Sequence, residues 1–315
     1  MEKKLFLGAN LPYREHTNGY EGTEKRLINL YKLKKLYLLK GGSGLGKGTF
    51  MKKFANAFSG YDIDYYYCSG DVRSLDGVII KELGIGIIDA TLPHILDPTY
   101  PALGIDEIID LAQFIIPEKV HARKEVIDEI LEEKARHYKA TNEALTEALK
   151  SKGNYKKTTS GAVQKLYLQV EKMLLKNGVK ESDIAIIAFA RSFTSLGVTD
   201  FRPDWAESDE KIIKLSCSEA TASEMFKKLH QKFGGYAFLH YLDPSMLEGI
   251  YIGGFVVILD PKVETKMSKK SVKKAIDALE RADKFSHGRM EQEYSNCMDF
   301  EKVDALLDTI LARHL

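Results

Sequence analysis

The pattern of apolar and polar positions first predicts a short buried strand followed by a helix. Residues 35–40, KLYLLK, form an apolar run, and a glycine-rich segment follows at 41–46. From Lys47 onward the apolar residues recur at helical spacing, with Phe50, Phe54 and Phe58 on one face. A strand, a glycine loop and a helix in this order are the context of a phosphate-binding loop.

The loop itself has the spacing of the motif G-x-x-x-x-G-K, with Gly41, Gly46 and Lys47 at the defining positions. Glycines allow the backbone N–H groups to turn inward around a phosphate, and the helix N-terminus adds partial positive charge. Lys47 is expected to reach the β- and γ-phosphates. The predicted nucleotide-binding residues are Gly42, Ser43, Gly44, Leu45, Gly46, Lys47, Gly48 and Thr49.

Gly48 departs from the usual motif, in which a Ser or Thr after the lysine holds Mg²⁺. The segment GGSGLGKGT resembles the loop of adenylate kinase and related nucleoside monophosphate kinases, which also carry Gly-Lys-Gly-Thr. The resemblance implies that phosphates and water hold most of the metal and that Thr49 contacts phosphate. Mg²⁺ and ATP are therefore the expected cofactors, and GTP is not excluded.

A second apolar run, ELGIGIID at 82–89, ends in an acid and has the form of a Walker B strand. Asp89 is predicted to orient a metal-bound water. Lys47 and Asp89 are thus the predicted catalytic residues, and Thr49 and Asp89 the residues nearest Mg²⁺.

Asp71, Arg73 and His94 are candidates for contacting a second substrate. Asp71 and Arg73 lie in SGDVR, after the apolar strand 65–68, and are comparable to the acceptor-gripping segment of nucleoside monophosphate kinases. The favoured alternative is an ordinary turn at the end of a strand. His94 follows the Asp89 strand, on the edge where open α/β sheets bind ligands. The favoured alternative is that it caps a helix or fixes the PHILDP turn.

The chain contains an internal repeat. Residues 213–236 align without a gap on 38–61, and after a three-residue deletion 243–252 align on 71–80. Asp260 then falls where Asp89 falls, and the start of the unit repeats as 192–199 on 5–12.

The second copy has lost the chemistry of the loop. Lys47 aligns with Ala222 and Thr49 with Glu224, and the loop glycines become Ser216, Cys217, Glu219 and Thr221. A carboxylate at a phosphate position repels the ligand. One nucleotide site per chain is predicted.

Between the copies the pattern becomes helical. An amphipathic helix is predicted over 104–115, a long charged helix over 118–150 and another over 162–178, with Gly178 at its C-terminus. Residues 269–294 suggest matching helices in the second copy. The helical arms could bind a protein partner, although charged helix pairs are usually solvated faces. The predicted domains are 1–117, a helical linker 118–180, and 181–315.

Composition narrows the function classes. The 315 residues contain 46 basic and 45 acidic side chains, a net charge of +1, so neither a nucleic acid nor an anionic membrane is an evident partner. Three separated cysteines form no CxxC pair and favour a reducing compartment. The apolar part of the N-terminal segment is too short for a secretory signal. A soluble, cytoplasmic protein is expected.

With both copies laid out, the chain resembles a bacterial family of tandem P-loop proteins described as ATPases or nucleotide-kinase-like proteins. The resemblance rests on LKGGSGLGKGTFMKK, YCSGDVRSLDGVII, IIDATLPHILDPTYP and MDFEKVDAL, together with LFLGAN near the start. It implies an α/β fold with a P-loop NTPase-type parallel sheet, internally duplicated and carrying long helical insertions. The expected function is ATP binding with phosphoryl transfer or slow hydrolysis. The alternatives are a non-catalytic nucleotide-gated module and a nucleoside-monophosphate-kinase-like phosphotransferase.

Overall fold

The computed structural model describes residues 2–8, 31–91, 96–151, 158–182, 184–264 and 266–315. His94, a candidate for a second substrate, lies outside these residues. Among the described helices, none combines the length and the apolar composition that crossing a bilayer requires.

The N-terminal part of the chain builds a six-stranded sheet. Its strands run in the order β1-β3-β4-β5-β2-β6. In chain order they are β1 (Lys3–Phe6), β2 (Lys35–Lys40), β3 (Ile63–Tyr67), β4 (Leu75–Ile80), β5 (Ile85–Asp89) and β6 (Asp106–Asp110).

This sheet is mixed, and the prediction of a parallel sheet is wrong for its centre. β2 pairs in parallel with β5 and β6, but β4 is antiparallel to both β3 and β5. The connections explain the difference. Residues 68–74 join β3 to β4 and residues 81–84 join β4 to β5, and such short segments allow only antiparallel neighbours, since a parallel crossover needs a dozen or more residues.

The C-terminal part builds a five-stranded sheet in the order β10-β13-β12-β11-β7. A separate hairpin, β8–β9, leaves the end of β7. The strands are β7 (Ala185–Ala188), β8 (Arg191–Thr194), β9 (Gly197–Asp200), β10 (Ile212–Leu215), β11 (Gly235–His240), β12 (Asp243–Ile252) and β13 (Phe255–Leu259).

Five strands of each sheet share the same order of parallel and antiparallel pairings. In the first sheet β2 and β5 are parallel, β5–β4 and β4–β3 antiparallel, and β3 and β1 parallel. The second sheet repeats this sequence of pairings as β10–β13, β13–β12, β12–β11 and β11–β7. Among the described strands, β6 has no counterpart in the second sheet.

Strand register refines the alignment of the copies. Gly77 lies opposite Ile88, and Gly249 lies opposite Ile258, which supports the alignment of 243–252 on 71–80. The same register matches Asp89 with Leu259, so the prediction that Asp260 occupies the Asp89 position is wrong by one residue. In a strand, one residue changes the face.

Strand pairing also changes which residues correspond near both ends of the predicted repeat. Since β3 and β11 pair with β4 and β12 in equivalent registers, Tyr236 corresponds to Asp64 rather than to Tyr61. β1 and β7 then match, with Phe6 on Phe189. The alignment of 192–199 on 5–12 is therefore wrong, because 192–199 lie within the β8–β9 hairpin.

The helices follow the predicted periodicity with two corrections. Residues 104–115 form edge strand β6 and a short 3-10 turn, because the segment pairs with β2. The helix predicted over 118–150 is interrupted at residues 122–123. The helices are α1 (Lys47–Ala57), α2 (Pro117–His121), α3 (Lys124–Lys150), α4 (Ser160–Lys176), α5 (Glu219–Phe233), α6 (Lys269–Asp283), α7 (Met290–Ser295) and α8 (Phe300–Leu311), and a π-helix spans Lys284–Arg289.

The two sheets pack face to face around a shared core. Leu36, Leu38 and Ile88 of the first sheet belong to the same buried cluster as Phe238 and Val256 of the second. Equivalent residues meet here, because Phe6 N–H donates to the Phe189 carbonyl at 2.8 Å. The halves are therefore joined by their sheets as well as by helices.

Helices cover the outer faces of both sheets. α1 and α8 lie over the first sheet, where Phe50 and Phe54 share a core with Leu307. α4 and α5 lie over the second, where Leu174 meets Phe226. The long helix α3 packs against α6.

Candidate functional site

The segment between β2 and α1 is a glycine loop at the carboxyl end of the sheet. β2 ends at Lys40 and α1 begins at Lys47. Gly41, Gly44 and Gly46 have positive φ angles of 135°, 86° and 86°. These left-handed conformations are readily available only to glycine, and they turn the chain sharply between the strand and the helix.

Gly44 is required for a second reason, which is the closeness of α7. A Cβ atom at Gly44 would lie 2.9 Å from the Glu291 Cα and from the Met290 carbonyl oxygen. Because these are backbone atoms, they cannot move aside as a flexible side chain could. The loop is thus fitted closely against the C-terminal part of the chain.

The main-chain N–H groups of this loop are available for binding. Within the described part of the chain, those of residues 42–49 donate no hydrogen bond, and the first in the helix is from Phe50 to the Gly46 carbonyl at 2.9 Å. Neither Gly42 nor Thr49 is buried. Unpaired N–H groups at the start of a helix are typical anion ligands.

Lys47 lies between the loop and the end of β5. Its ammonium group donates to the carbonyl oxygens of Gly41 and Gly42, both at 2.8 Å, and lies 3.5 Å from Asp89 Oδ2. The other carboxylate oxygen of Asp89, Oδ1, accepts from the N–H and hydroxyl of Thr91 at 2.9 and 2.5 Å. The two predicted catalytic residues are therefore adjacent, and Asp89 is held in a fixed orientation.

Gly48 faces the start of β4. A Cβ atom at this position would lie 2.4 Å from the Ser74 hydroxyl oxygen and 3.6 Å from Ser74 Cβ. The Ser74 hydroxyl thus points at the helix residue that lacks one. The two residues are brought together by tertiary structure alone.

The helical segments of the chain reach the loop. Lys134, on α3, donates to the Ser43 hydroxyl at 2.9 Å. Phe300, at the start of α8, lies near Gly46, where a Cβ atom would meet its ring at 3.2 Å. The loop therefore touches α3, α7 and α8, so its shape is coupled to their positions.

Asp71 and Arg73 form an ion pair beside this loop. Arg73 Nε donates to Asp71 Oδ1 at 2.7 Å, and Arg73 also lies 3.5 Å from Asp283. Asp283 in turn contacts His287 Nδ1 at 2.7 Å. Burial tends to raise the pKa of the Asp71 carboxyl, but the hydrogen bonds from Arg73 and the charge of His287 outweigh it and lower the pKa. The carboxylate is charged at neutral pH.

Asp71, Asp283 and His287 form a group that could hold a metal ion, with their ligand atoms all within 4.8 Å of one another. These side chains already have hydrogen-bond partners, because Asp71 accepts from Arg73 and Asp283 contacts His287. Asp89 and Thr49, the predicted neighbours of Mg²⁺, are not part of it.

The equivalent edge of the second sheet has no such loop. α5 begins at Glu219, one turn earlier than α1 by the helix alignment, and Ser218 caps it. The Ser218 hydroxyl accepts from Thr221 N–H at 3.2 Å, and its carbonyl from Ala222 N–H at 3.0 Å. Helix α5 thus begins where the loop would run, and two of its N–H groups, those of Thr221 and Ala222, are bonded to Ser218.

A buried ionic cluster lies at the carboxyl ends of β7 and β11. Arg191 donates to Glu248 at 2.7 Å and to Glu264 at 2.9 Å, and Arg202 pairs with Asp200 at 2.7 Å. Burial tends to lower the pKa of Arg191, but the two glutamates raise it overall. The cluster sets three carboxylates against two guanidinium groups, and each of the five side chains has at least one partner of opposite charge within the cluster.

The structure groups most of the predicted site residues at one edge. The loop residues, Lys47 and Asp89 lie together, and Asp71 and Arg73 lie beside α6 and the π-helix. Sequence analysis missed Ser74, Lys134, Asp283 and His287. No local signal could have identified Lys134, Asp283 and His287, since each comes from a distant segment, whereas Ser74 directly follows Arg73.

Comparison of the chain with protein-family models, with curated proteins and with solved structures found no match.

Proposed function

We propose that the chain binds a nucleoside triphosphate, ATP by the analogy of its loop, at one site per chain, and that it catalyses Mg²⁺-dependent phosphoryl transfer or slow hydrolysis. The single observation that carries the proposal is the row of unpaired N–H groups at residues 42–49, followed directly by Lys47. Backbone donors and a lysine at a helix N-terminus match the needs of a polyphosphate.

Asp89 supports the catalytic part of the proposal. Its carboxylate lies 3.5 Å from the Lys47 ammonium group and is oriented by Thr91. Lys47 would stabilise charge on the transferring phosphoryl group, and Asp89 would position a water molecule. Catalysis of this kind depends on positioning and electrostatics and forms no covalent enzyme intermediate.

The residues fit Mg²⁺, which prefers oxygen ligands and keeps several waters. Asp89 would hold it through water, and Thr49, on the exposed side of the first turn of α1, would contact phosphate. Bound with the nucleotide, Mg²⁺ would supply neutralisation of the phosphate charge.

The matching strand order of the two sheets supports a duplicated P-loop unit, as the resemblance to tandem P-loop proteins implies. The capped helix α5 supports a single nucleotide site, because the N–H groups of Thr221 and Ala222 bond to Ser218 and, by the helix alignment, Glu219 brings a carboxylate to the Gly44 position.

Titration calorimetry with Mg·ATP tests the proposal, alongside assays of phosphate and ADP release. Lys47→Ala removes a charged ligand of the phosphates and is expected to weaken binding about 10- to 150-fold, since hydrogen bonds to charged groups contribute about 1.5–3 kcal/mol. Lys53→Ala is the matched control, because Lys53 lies on the same helix and pairs with Asp304. Equal affinities of both variants and the parent protein would contradict the proposal.

A nucleotide-gated module without catalysis is the second candidate. Lys134 of α3 donates to Ser43 within the loop, so a ligand that occupies the loop competes for this contact. Hydrogen exchange of residues 124–150 with and without ATP tests it. Altered exchange without turnover, with water or with nucleoside monophosphates as acceptor, favours the module. Turnover with a monophosphate favours the kinase-like alternative, in which Asp71 and Arg73 contact the acceptor.

A further inference from the structure

The departure at Gly48 removes the hydroxyl that most P-loop hydrolases place beside Mg²⁺. The hydroxyl of a residue on a neighbouring strand lies close to this place. Ser74 Oγ lies 2.4 Å from the point where a Cβ of residue 48 would stand, which is within the space that a serine or threonine side chain would use.

We propose that Ser74 supplies, from the neighbouring strand, the hydroxyl ligand that Gly48 lacks. The inference rests on the proposed nucleotide site and names a further residue of it. This role also explains why residue 48 is glycine, because any side chain at this position would displace the Ser74 hydroxyl.

The surroundings of Ser74 suit this role. Its N–H donates to the Asp71 carbonyl at 2.9 Å, and its carbonyl accepts from Cys68 N–H at 3.1 Å. These bonds fix the backbone of the turn before β4. Within the described part of the chain, the Ser74 hydroxyl itself makes no hydrogen bond, so it is available to a ligand.

Ser74 is also on the correct edge of the sheet. β4 is antiparallel to β5, with Gly77 opposite Ile88. Continuing this register toward the start of β4 brings residues 74–76 alongside 89–91. Ser74 therefore reaches the same edge as Asp89, the second oxygen ligand expected near the metal.

Affinity for ADP, measured with and without Mg²⁺, tests the inference without depending on turnover. In the parent protein Mg²⁺ is expected to strengthen binding. In Ser74→Ala the ratio of ADP affinity with Mg²⁺ to ADP affinity without it is expected to fall about 10-fold or more, because a hydrogen bond or ligand contact to a charged group is lost. Binding without Mg²⁺ should be unchanged, since the loop N–H groups remain. Mn²⁺ as a paramagnetic probe gives a second readout, in which its nucleotide-dependent binding weakens in parallel.

A double variant separates a ligand role from a packing role. Ser74→Gly alone should lose the gain as Ser74→Ala does, whereas Ser74→Gly combined with Gly48→Ser restores a hydroxyl at the usual position and should recover it to within about 3-fold. Thermal unfolding of each variant checks the fold.

An unaltered Mg²⁺ gain in Ser74→Ala would overturn the inference, and so would a loss that the folded double variant does not recover. If the parent protein binds no nucleotide, with or without Mg²⁺, the proposed function fails as well, which distinguishes the two failures.

Discussion

The carboxyl edges of the two sheets differ although the strands beneath them are arranged alike. After β2 the chain forms an open glycine loop and α1 begins at Lys47, whereas after β10 the helix α5 begins at Glu219 under the Ser218 cap. By the helix alignment, Gly44 and Gly46 correspond to Glu219 and Thr221. Two left-handed glycines thus separate an open loop from an ordinary helix start.

The buried face of the helix stays apolar in both halves, although the residues of the preceding loop differ. Phe50 and Phe54 in α1, with Phe58 just after it, correspond to Met225, Leu229 and Phe233 in α5, and all six are buried. The apolar face is kept because it covers the sheet in both halves. The polar edge is free to change, because only a ligand would require it.

Gly44→Glu tests this contrast most strongly, because it gives the first half the residue of the second. Two like charges 4 Å apart repel by about 4 kcal/mol in a partly buried site, so ATP affinity is expected to fall about a thousandfold. The positive φ and the nearby backbone of Glu291 add strain.

The matched control is Glu219→Gly, which is expected to leave ATP affinity unchanged because the proposed nucleotide site lies at α1 and not at α5. Calorimetry measures both. Affinity in Gly44→Glu close to that of the parent protein would show that residues 42–49 are not the phosphate site.

Tyr236→Phe tests a contact between the two halves in which corresponding positions hold different residues, a tyrosine and an aspartate. Tyr236 corresponds to Asp64, and its hydroxyl donates to Asp64 Oδ2 at 2.7 Å. Burial raises the pKa of Tyr236, and so does the nearby Asp64 charge, so the phenol stays protonated. Loss of this bond to a buried carboxylate is expected to cost about 1.5–3 kcal/mol of unfolding free energy.

Denaturant unfolding measures this cost, with Tyr61→Phe as the exposed control. Equal stability of Tyr236→Phe and the control would mean that the corresponding positions do not hold the halves together.

The glycine pair Gly77 and Gly249 gives the finest comparison, since both face an isoleucine on the next strand. A Cβ at Gly249 would lie 2.8 Å from Ile258 Cγ2 and 3.0 Å from the Val257 carbonyl oxygen, whereas at Gly77 the nearest atom is Ile88 Cγ2 at 3.0 Å. Gly249→Ala is expected to destabilise by about 1–3 kcal/mol and Gly77→Ala by less. Denaturant midpoints that reverse this order would show that these contact distances do not set the cost of the added methyl group.

Much of the first half could be predicted because its signals are local. The strand at 35–40, the loop and the helix face of Phe50 and Phe54 follow from glycine placement and periodicity within a few turns of chain. The segment 104–115 could not, because Ile108 and Ile109 fit either a helix face or a strand, and only pairing with β2 decides between them.

Local patterns were enough to predict the loop with Lys47, the Asp89 strand and a second copy without that loop, since each depends on backbone freedom and charge at neighbouring positions. Strand pairing and packing established that the sheets are mixed and face each other, that Lys134 contacts Ser43, and that Ser74 lies against Gly48. Those contacts join residues far apart in the chain, and their geometry comes from how the strands pair, which no local pattern records.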